Sequence, residues 1–234
     1  MIVPRNTIDE FRQAITAAGL EAPDHIEPGR VIKFPGHQKG GSNKAAWCFM
    51  FDDMRDGVFG DYSTDMESNW QASNSAVYTP AERQARLANI KTLKAQREDD
   101  VLATQQQASE TALQRFNDAT PCTQHVYTGN KGVQCYGVRM DTAGALLVPM
   151  RDTAGKLHSL QAITPDGEKR FHPGGRVKGC YHAIGKPAGR LIVCEGYATS
   201  ASIHEATGDV VAVAFNAGGI MPVALALRAK YANL

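Results

Sequence analysis

Residues 191–208, LIVCEGYATSASIHEATG, constrain this chain more than any other stretch of it. A short apolar run, Leu191 to Cys194, stops at a carboxylate, Glu195. A glycine follows, then small residues at helical spacing up to Gly208, then a second apolar run over 210–215. Strand, helix, strand and a final helix over 222–231 predict parallel pairing through a right-handed crossover. In an open α/β sheet, ligands collect just beyond the carboxyl ends of the strands. Glu195 stands at such an end, and Gly196 lets a ligand approach the backbone closely. A carboxylate there serves to hold Mg²⁺ or to move a proton. Equally open at this point is a charge that does no more than favour a helix N-terminus.

Other periodicities govern the chain ahead of this segment. Residues 6–20 have helical spacing, with Ile8, Phe11, Ile15 and Leu20 on one side and Gly19 near the stop. Over 29–70 the pattern changes to short strands. Trp47, Phe49 and Phe51 alternate on one face, and Asp56-Gly57 is expected to turn the chain into Val58-Phe59. This reads as a small antiparallel β domain. Its alternate aromatics either form a core or, beside Arg30, Lys33, Lys39, Lys44 and Arg55, stack the bases of a single strand. After a polar gap at 71–77, Thr79-Pro80-Ala81-Glu82 spells a capping box with proline at the first helical position. The helix it opens runs to about Asn117, with a break expected near Asp99-Asp100. It is poor in large apolar residues, so it reads as a connecting rod. Its Arg83, Arg86, Lys91, Lys94 and Arg97 either solvate one face or meet nucleic acid.

From Pro121 onward strand candidates lie at 137–139, 146–151 and 159–164, separated by the turns Thr142-Ala143-Gly144, Thr153-Ala154-Gly155 and Pro165-Asp166-Gly167. The fold class expected is α/β in character and α+β overall. Residues 1–77 form a helix plus a small antiparallel β module, 78–118 a connecting helix, 119–188 a basic α+β subdomain, and 189–234 the first half of a Rossmann-like parallel α/β domain.

A formal charge of +1 gives the chain no global field for polyanions, so any nucleic-acid surface must be local. Residues 169–190 supply one: Lys169, Arg170, Arg176, Lys178, Lys186 and Arg190, with no acid among them. Within that stretch Gly174-Gly175 either lets backbone approach phosphate, as in an anion-binding nest, or forms a plain turn. Asn216, at the same sheet edge as Glu195, either offers its amide to the site or turns the chain into the last helix. The five cysteines are scattered and odd in number, which suits reduced thiols in a cytoplasm. The first residues do not read as a signal peptide, and no apolar stretch approaches the roughly 20 residues of a membrane span. Zinc is not expected, since His37 and Cys48 stand alone and Cys122, His125 and Cys135 are too sparse a set. There is no GxxxxGK[ST] phosphate loop in these residues.

The strand ending in Glu195-Gly196-Tyr197, the small-residue helix to Gly208, and the second strand followed by Asn216-Ala217-Gly218 resemble the first half of a Toprim domain. That domain is shared by DnaG-type primases, topoisomerases and some nucleases. The preceding stretch resembles the basic subdomain ahead of Toprim in the primases of phages and plasmids, which are often fused to helicases. It carries LLVPMRDTAG over 146–155, Ser159-Leu160-Gln161, Lys169-Arg170-Phe171, Pro173-Gly174-Gly175-Arg176 and Lys178-Gly179. The likeness covers about 120–234 well and 28–70 loosely.

The resemblance implies a DNA primase, joining nucleoside triphosphates into short RNA primers on single-stranded DNA during phage or plasmid replication, with a replicative helicase in cis or in trans. It implies Mg²⁺ (or Mn²⁺), with Glu195 as metal ligand or proton carrier and Lys169 and Lys178 neutralising triphosphate or primer backbone. Arg151 would face template or nucleotide, with Arg170 and Arg176 as bidentate helpers on phosphate. In the family an Asp-x-Asp pair at the end of a third strand completes the metal site. That pair is not found after the last helix here, so the chain is expected to be the N-terminal part of such a primase with an incomplete site. The other readings are a catalytically silent module that binds single-stranded DNA or nucleotide, and a Toprim nuclease.

Overall fold

The computed structural model describes residues 5–73, 79–187 and 189–231, apart from the side chains of Arg5, Asn6, Leu93 and Arg97. Contacts divide the chain into two units, Met1–Arg86 and Leu87–Leu234. Its class is mixed, with antiparallel sheets and several helices, in the α+β manner expected.

In the first unit α1 (Arg5–Ala17) lies on an antiparallel meander of β1 (Val31–Phe34), β2 (Ala46–Met50), β3 (Asp56–Asp61) and β4 (Met66–Gln71), paired in that order. Alternation along β2 assigns the faces. Ala46, Cys48 and Met50 join Phe11 and Ile15 of α1 in the core. Trp47, Phe49 and Phe51 point the other way and are also buried. Phe49 and Phe51 meet edge to face at 5.1 Å, and the Arg86 guanidinium sits 4.4 Å from the Phe51 centroid. They are packed side chains, not open stacking platforms.

The Asp56-Gly57 turn is a correction. Both residues lie inside β3, opposite Gln71 and Trp70, and the chain reverses earlier, at 52–55. A side chain at Gly57 would come within 2.8 Å of the Phe11 ring, so its glycine answers to packing under α1.

The expected capping box is present: the Thr79 hydroxyl accepts from the Glu82 amide at 3.3 Å, and the Glu82 carboxylate accepts from the Thr79 amide at 2.8 Å. From it α2 (Pro80–Asp118) runs for 39 residues without the break expected at Asp99-Asp100. Aspartate lowers helix propensity only modestly, and neither proline nor glycine interrupts this stretch. Residues 74–77 of the expected polar gap lie outside the described residues. Among the helix cations, Arg86 pairs with Asp53 at 2.9 Å and with Asp56, both acids of the first unit. The Arg97 side chain is outside the described residues.

The second unit holds two sheets. One is antiparallel, in the order β5 (Thr120–Pro121), β6 (Arg139–Met140), β7 (Leu146–Arg151), β8 (Leu157–Ile163) and β9 (Lys169–Phe171). A short helix, α3 (Val126–Lys131), lies between β5 and β6. The other sheet has the order β10-β12-β11, with β10 (His182–Ile184) antiparallel and β11 (Leu191–Cys194) parallel to β12 (Val210–Val213). Helices α4 (Tyr197–Thr207) and α5 (Ala217–Lys230) follow β11 and β12. Leu146, Val148 and Met150 of β7 pack with Tyr197, Ala201 and Val213, so residues from 119–188 and from 189–234 meet in one core. The opposite face of β7 and β8, with Leu147 and Leu160, meets Ala112 and Phe116 of α2. No helix among the described residues is long and apolar enough to cross a membrane.

Candidate nucleic-acid and metal site

Parallel pairing sets the geometry at Glu195. Cys194 lies opposite Val213, and the Ala214 amide still donates to the Cys194 carbonyl at 2.8 Å. Glu195 and Asn216 therefore emerge at the same end of β11 and β12. Gly196 is the N-cap of α4, in extended conformation with no side-chain cap. Tyr197, next in the motif, is fully buried, and its hydroxyl accepts from the Tyr136 amide at 2.7 Å. Glu195 itself is exposed, with no hydrogen bond or ion pair among the described residues. Asn216 is committed to the fold: its side-chain oxygen caps α5 by accepting from the Gly219 amide at 2.7 Å. Between them Phe215 holds a left-handed backbone (φ +70°), a conformation unfavourable for a bulky residue, and it ends β12 short of the expected 215.

Mg²⁺ binds through one or two carboxylates, substrate phosphates and retained waters. The donor set at this edge fits that pattern in part, with Glu195 as its carboxylate. No cluster of three or more His, Cys, Asp or Glu side chains suited to a metal occurs among the described residues. Asp209 stands at the opposite end of β12, where Arg190 pairs with it at 2.8 Å.

The cations expected to surround Glu195 divide. Lys169 and Phe171 share a face of β9, and the Phe171 ring meets the Phe215 ring at 6.4 Å. This contact carries the basic strand to the Glu195 end. The Lys169 ammonium lies 5.9 Å from the Tyr127 ring, and neither Lys169 nor Lys178 has an acidic partner among the described residues. The arginines are otherwise occupied. Arg170 pairs with Glu168 at 2.8 Å and Arg176 with Asp152 at 3.4 Å. With Arg190 on Asp209, three of the six cations of 169–190 meet acids that lie outside that segment.

The Arg151 backbone pairs with Tyr181, just ahead of His182 and so at the end of the three-stranded sheet from which Glu195 emerges, but its side chain turns away. It donates to the Gly155 carbonyl of its own hairpin at 2.9 Å and lies 5.8 Å from the Phe116 ring, on the α2 side of the sheet. Burial and then neighbouring Arg139 lower its pKa from the usual guanidinium range. Gly174 and Gly175 are close-packing residues. A side chain at Gly174 would lie 3.1 Å from Thr104 of α2, and one at Gly175 would lie 2.4 Å from the Ser159 hydroxyl. Their backbone approaches protein, which accounts for both glycines without a phosphate.

Asp152 organises this region, and no sequence motif singled it out. Its carboxylate accepts from the Ala154 and Lys156 amides at 3.0 Å each, from His158 at 2.7 Å and from Arg176. Burial alone would raise its pKa. The bonds from His158, Lys156 and Ala154 outweigh burial and hold it below the usual carboxylate range. The turn sequence Asp152-Thr153-Ala154-Gly155 was the available signal, since aspartate at such a position bonds amides two residues on. In the first unit, His37 engages the Gly19 carbonyl at 2.9 Å and Cys48 is buried beneath α1.

No family model matches this chain, and no solved structure matches it. It is similar to a DNA primase TraC of Escherichia coli, 30% identical over 237 residues that make up 95% of this chain and 22% of that protein. A second DNA primase TraC of Escherichia coli is 30% identical over 239 residues, again 95% of this chain and 16% of the relative. The chain spans about a fifth of the length of these relatives.

Proposed function

We propose that this chain, similar along nearly its whole length to DNA primases, is the primase portion of a plasmid- or phage-type replication protein. Its substrates are single-stranded DNA and nucleoside triphosphates, and its reaction is attack of a 3′-hydroxyl on an α-phosphate. Such a transition state gathers negative charge, so it needs a divalent cation and fixed positive side chains. The reading rests on one observation: an exposed, unpartnered carboxylate, Glu195, stands at the carboxyl end of two parallel strands, beside a basic strand whose lysine has no acid to answer it.

In this role Glu195 gives an oxygen to Mg²⁺ or Mn²⁺, and the cation when bound polarises the reacting phosphate. Lys169 and Lys178 neutralise triphosphate or strand backbone. Gly196 lets substrate come near the backbone at the strand end. Arg170 and Arg176 act behind them by keeping β9 and the 172–176 turn in shape. Toprim architecture, a replicative helicase as partner and a cytoplasmic site of action belong to the same reading.

The test is primer synthesis by the complete protein, comparing wild type with Glu195→Gln. A loss of at least ~100-fold is expected, with binding of single-stranded DNA retained. Wild-type rates in the variant would end the assignment. One observation favours a second reading, a silent single-strand-binding module: Glu195 belongs to no cluster of three or more metal-suited side chains among the described residues. That reading requires salt-sensitive binding and no incorporation with either metal.

A further inference from the structure

Two thiols thirteen residues apart in sequence meet in the second unit. Cys122 follows β5, Cys135 follows α3, and their sulfurs lie 3.9 Å apart, both unbonded. The intervening loop folds around a cavity of about 780 Å³ lined by His125, Thr128, Val133 and Cys135, among others. Cys135 lines this cavity, which opens its sulfur to a reagent from solvent. The Thr128 hydroxyl lies 3.4 Å from its sulfur, and Cys122 is oriented by the Gln124 carbonyl at 3.2 Å. The remaining cysteines offer no comparable pair: Cys48 and Cys180 are fully buried, and Cys194 stands at the end of β11.

We propose that Cys122 and Cys135 form a thiol–disulfide exchange site, converted reversibly to an intramolecular disulfide by a low-molecular-weight disulfide of the glutathione type. The sulfurs need to close by about 2 Å, within the reach of side-chain rotation. The Cys135 thiolate attacks one sulfur of the reagent, forms a mixed disulfide and releases one thiolate. The Cys122 thiolate then attacks the Cys135 sulfur and releases the second thiolate. The two protons lost by the protein pass to the two departing thiolates, so two protein thiols and one disulfide yield one protein disulfide and two small thiols. Burial, and then Cys135 itself, push the Cys122 thiol up to about 11. Oxidation of Cys135 removes its part of that shift, which favours the second step only after the first. The disulfide ties together the two ends of the α3 loop, which carries the core residue Tyr127.

The experiment treats the 234-residue chain with glutathione disulfide, denatures it and counts thiols, with peptide mapping of the product. The count is expected to fall from five to three, with Cys122 joined to Cys135 and dithiothreitol restoring five. Cys122→Ser is expected to stop at a stable glutathione adduct on Cys135. Five surviving thiols, pairing through Cys194 or between chains, or absence of the adduct in Cys122→Ser would each overturn the proposal.

Discussion

Two sites in the second unit carry a carboxylate beside positive charge, and they treat it in opposite ways. At the β7–β8 hairpin, Asp152 receives two amides, a histidine and an arginine, and Arg176 is held there in turn. At the end of β11, Glu195 is exposed and bonded to nothing among the described residues. A carboxylate whose lone pairs are filled by its own protein is a fastener, since a ligand must displace those bonds before it binds. A carboxylate with free oxygens at a strand end is available to a ligand without that cost. Arginines went mainly to fastening, where their forked geometry suits carboxylates and carbonyls, while Lys169 and Lys178 stayed open.

The largest expected effect tests the fastener. Asp152→Ala removes the acceptor of four hydrogen bonds and leaves Arg176 half-buried without its acid. A loss of about 4 kcal/mol is expected, taking about 1 kcal/mol per bond. Asp152→Asn keeps the two turn amides satisfied and is expected to lose about half as much. Thermal or urea unfolding of both variants checks this. A variant that melts like wild type but loses single-strand binding would exchange the roles of the two sites.

A smaller effect concerns pH and the sheet that carries Glu195. His182 of β10 is buried against Tyr197, with its ring bonded to the Tyr136 carbonyl at 2.8 Å. Burial lowers its pKa from the ordinary 6.5 to about 4, so the folded chain keeps it neutral. Between those values the unfolded chain binds a proton that the folded chain refuses. Stability is therefore full above pH 6.5 and falls as pH drops toward 4, by on the order of 2–3 kcal/mol. Unfolding measured from pH 7 to pH 4 should show this slope in wild type and a shallower one in His182→Gln. Equal slopes would mean that His182 accepts its proton without cost.

Strands governed by local pattern were legible. Leu146–Arg151 and Leu191–Cys194 coincide with β7 and β11, because continuous apolar runs bounded by turns have few other solutions. Features decided by distant partners were not. Asp56-Gly57 looks like a turn until the Phe11 ring, more than forty residues earlier, is known to press on it. The acid-free stretch 169–190 looked like an open cationic wall because Asp152, which takes Arg176, lies outside it. Gly174 and Gly175 invited a phosphate because the side chains that crowd them, Thr104 and Ser159, belong to other elements. At the Glu195 edge the motif located the carboxylate correctly at a strand end. It could not tell that Asn216 is used as a helix cap, since the same amide serves either purpose.

The smallest effect on stability separates the lysines from the arginines. Lys169→Ala and Lys178→Ala remove exposed ammonium groups without acidic partners, so folding stability should stay within about 0.5 kcal/mol of wild type. If each lysine holds one phosphate, each variant should lower the slope of log affinity for single-stranded DNA against log salt by ~0.7. Arg170→Ala and Arg190→Ala should change that slope less, because Glu168 and Asp209 already neutralise those side chains. Anisotropy titrations of a labelled oligodeoxythymidylate at several salt concentrations read the difference. Identical slopes for the lysine and arginine variants would mean that strands do not distinguish open cations from paired ones. The contrast between the two sites would then describe folding alone and say nothing of binding.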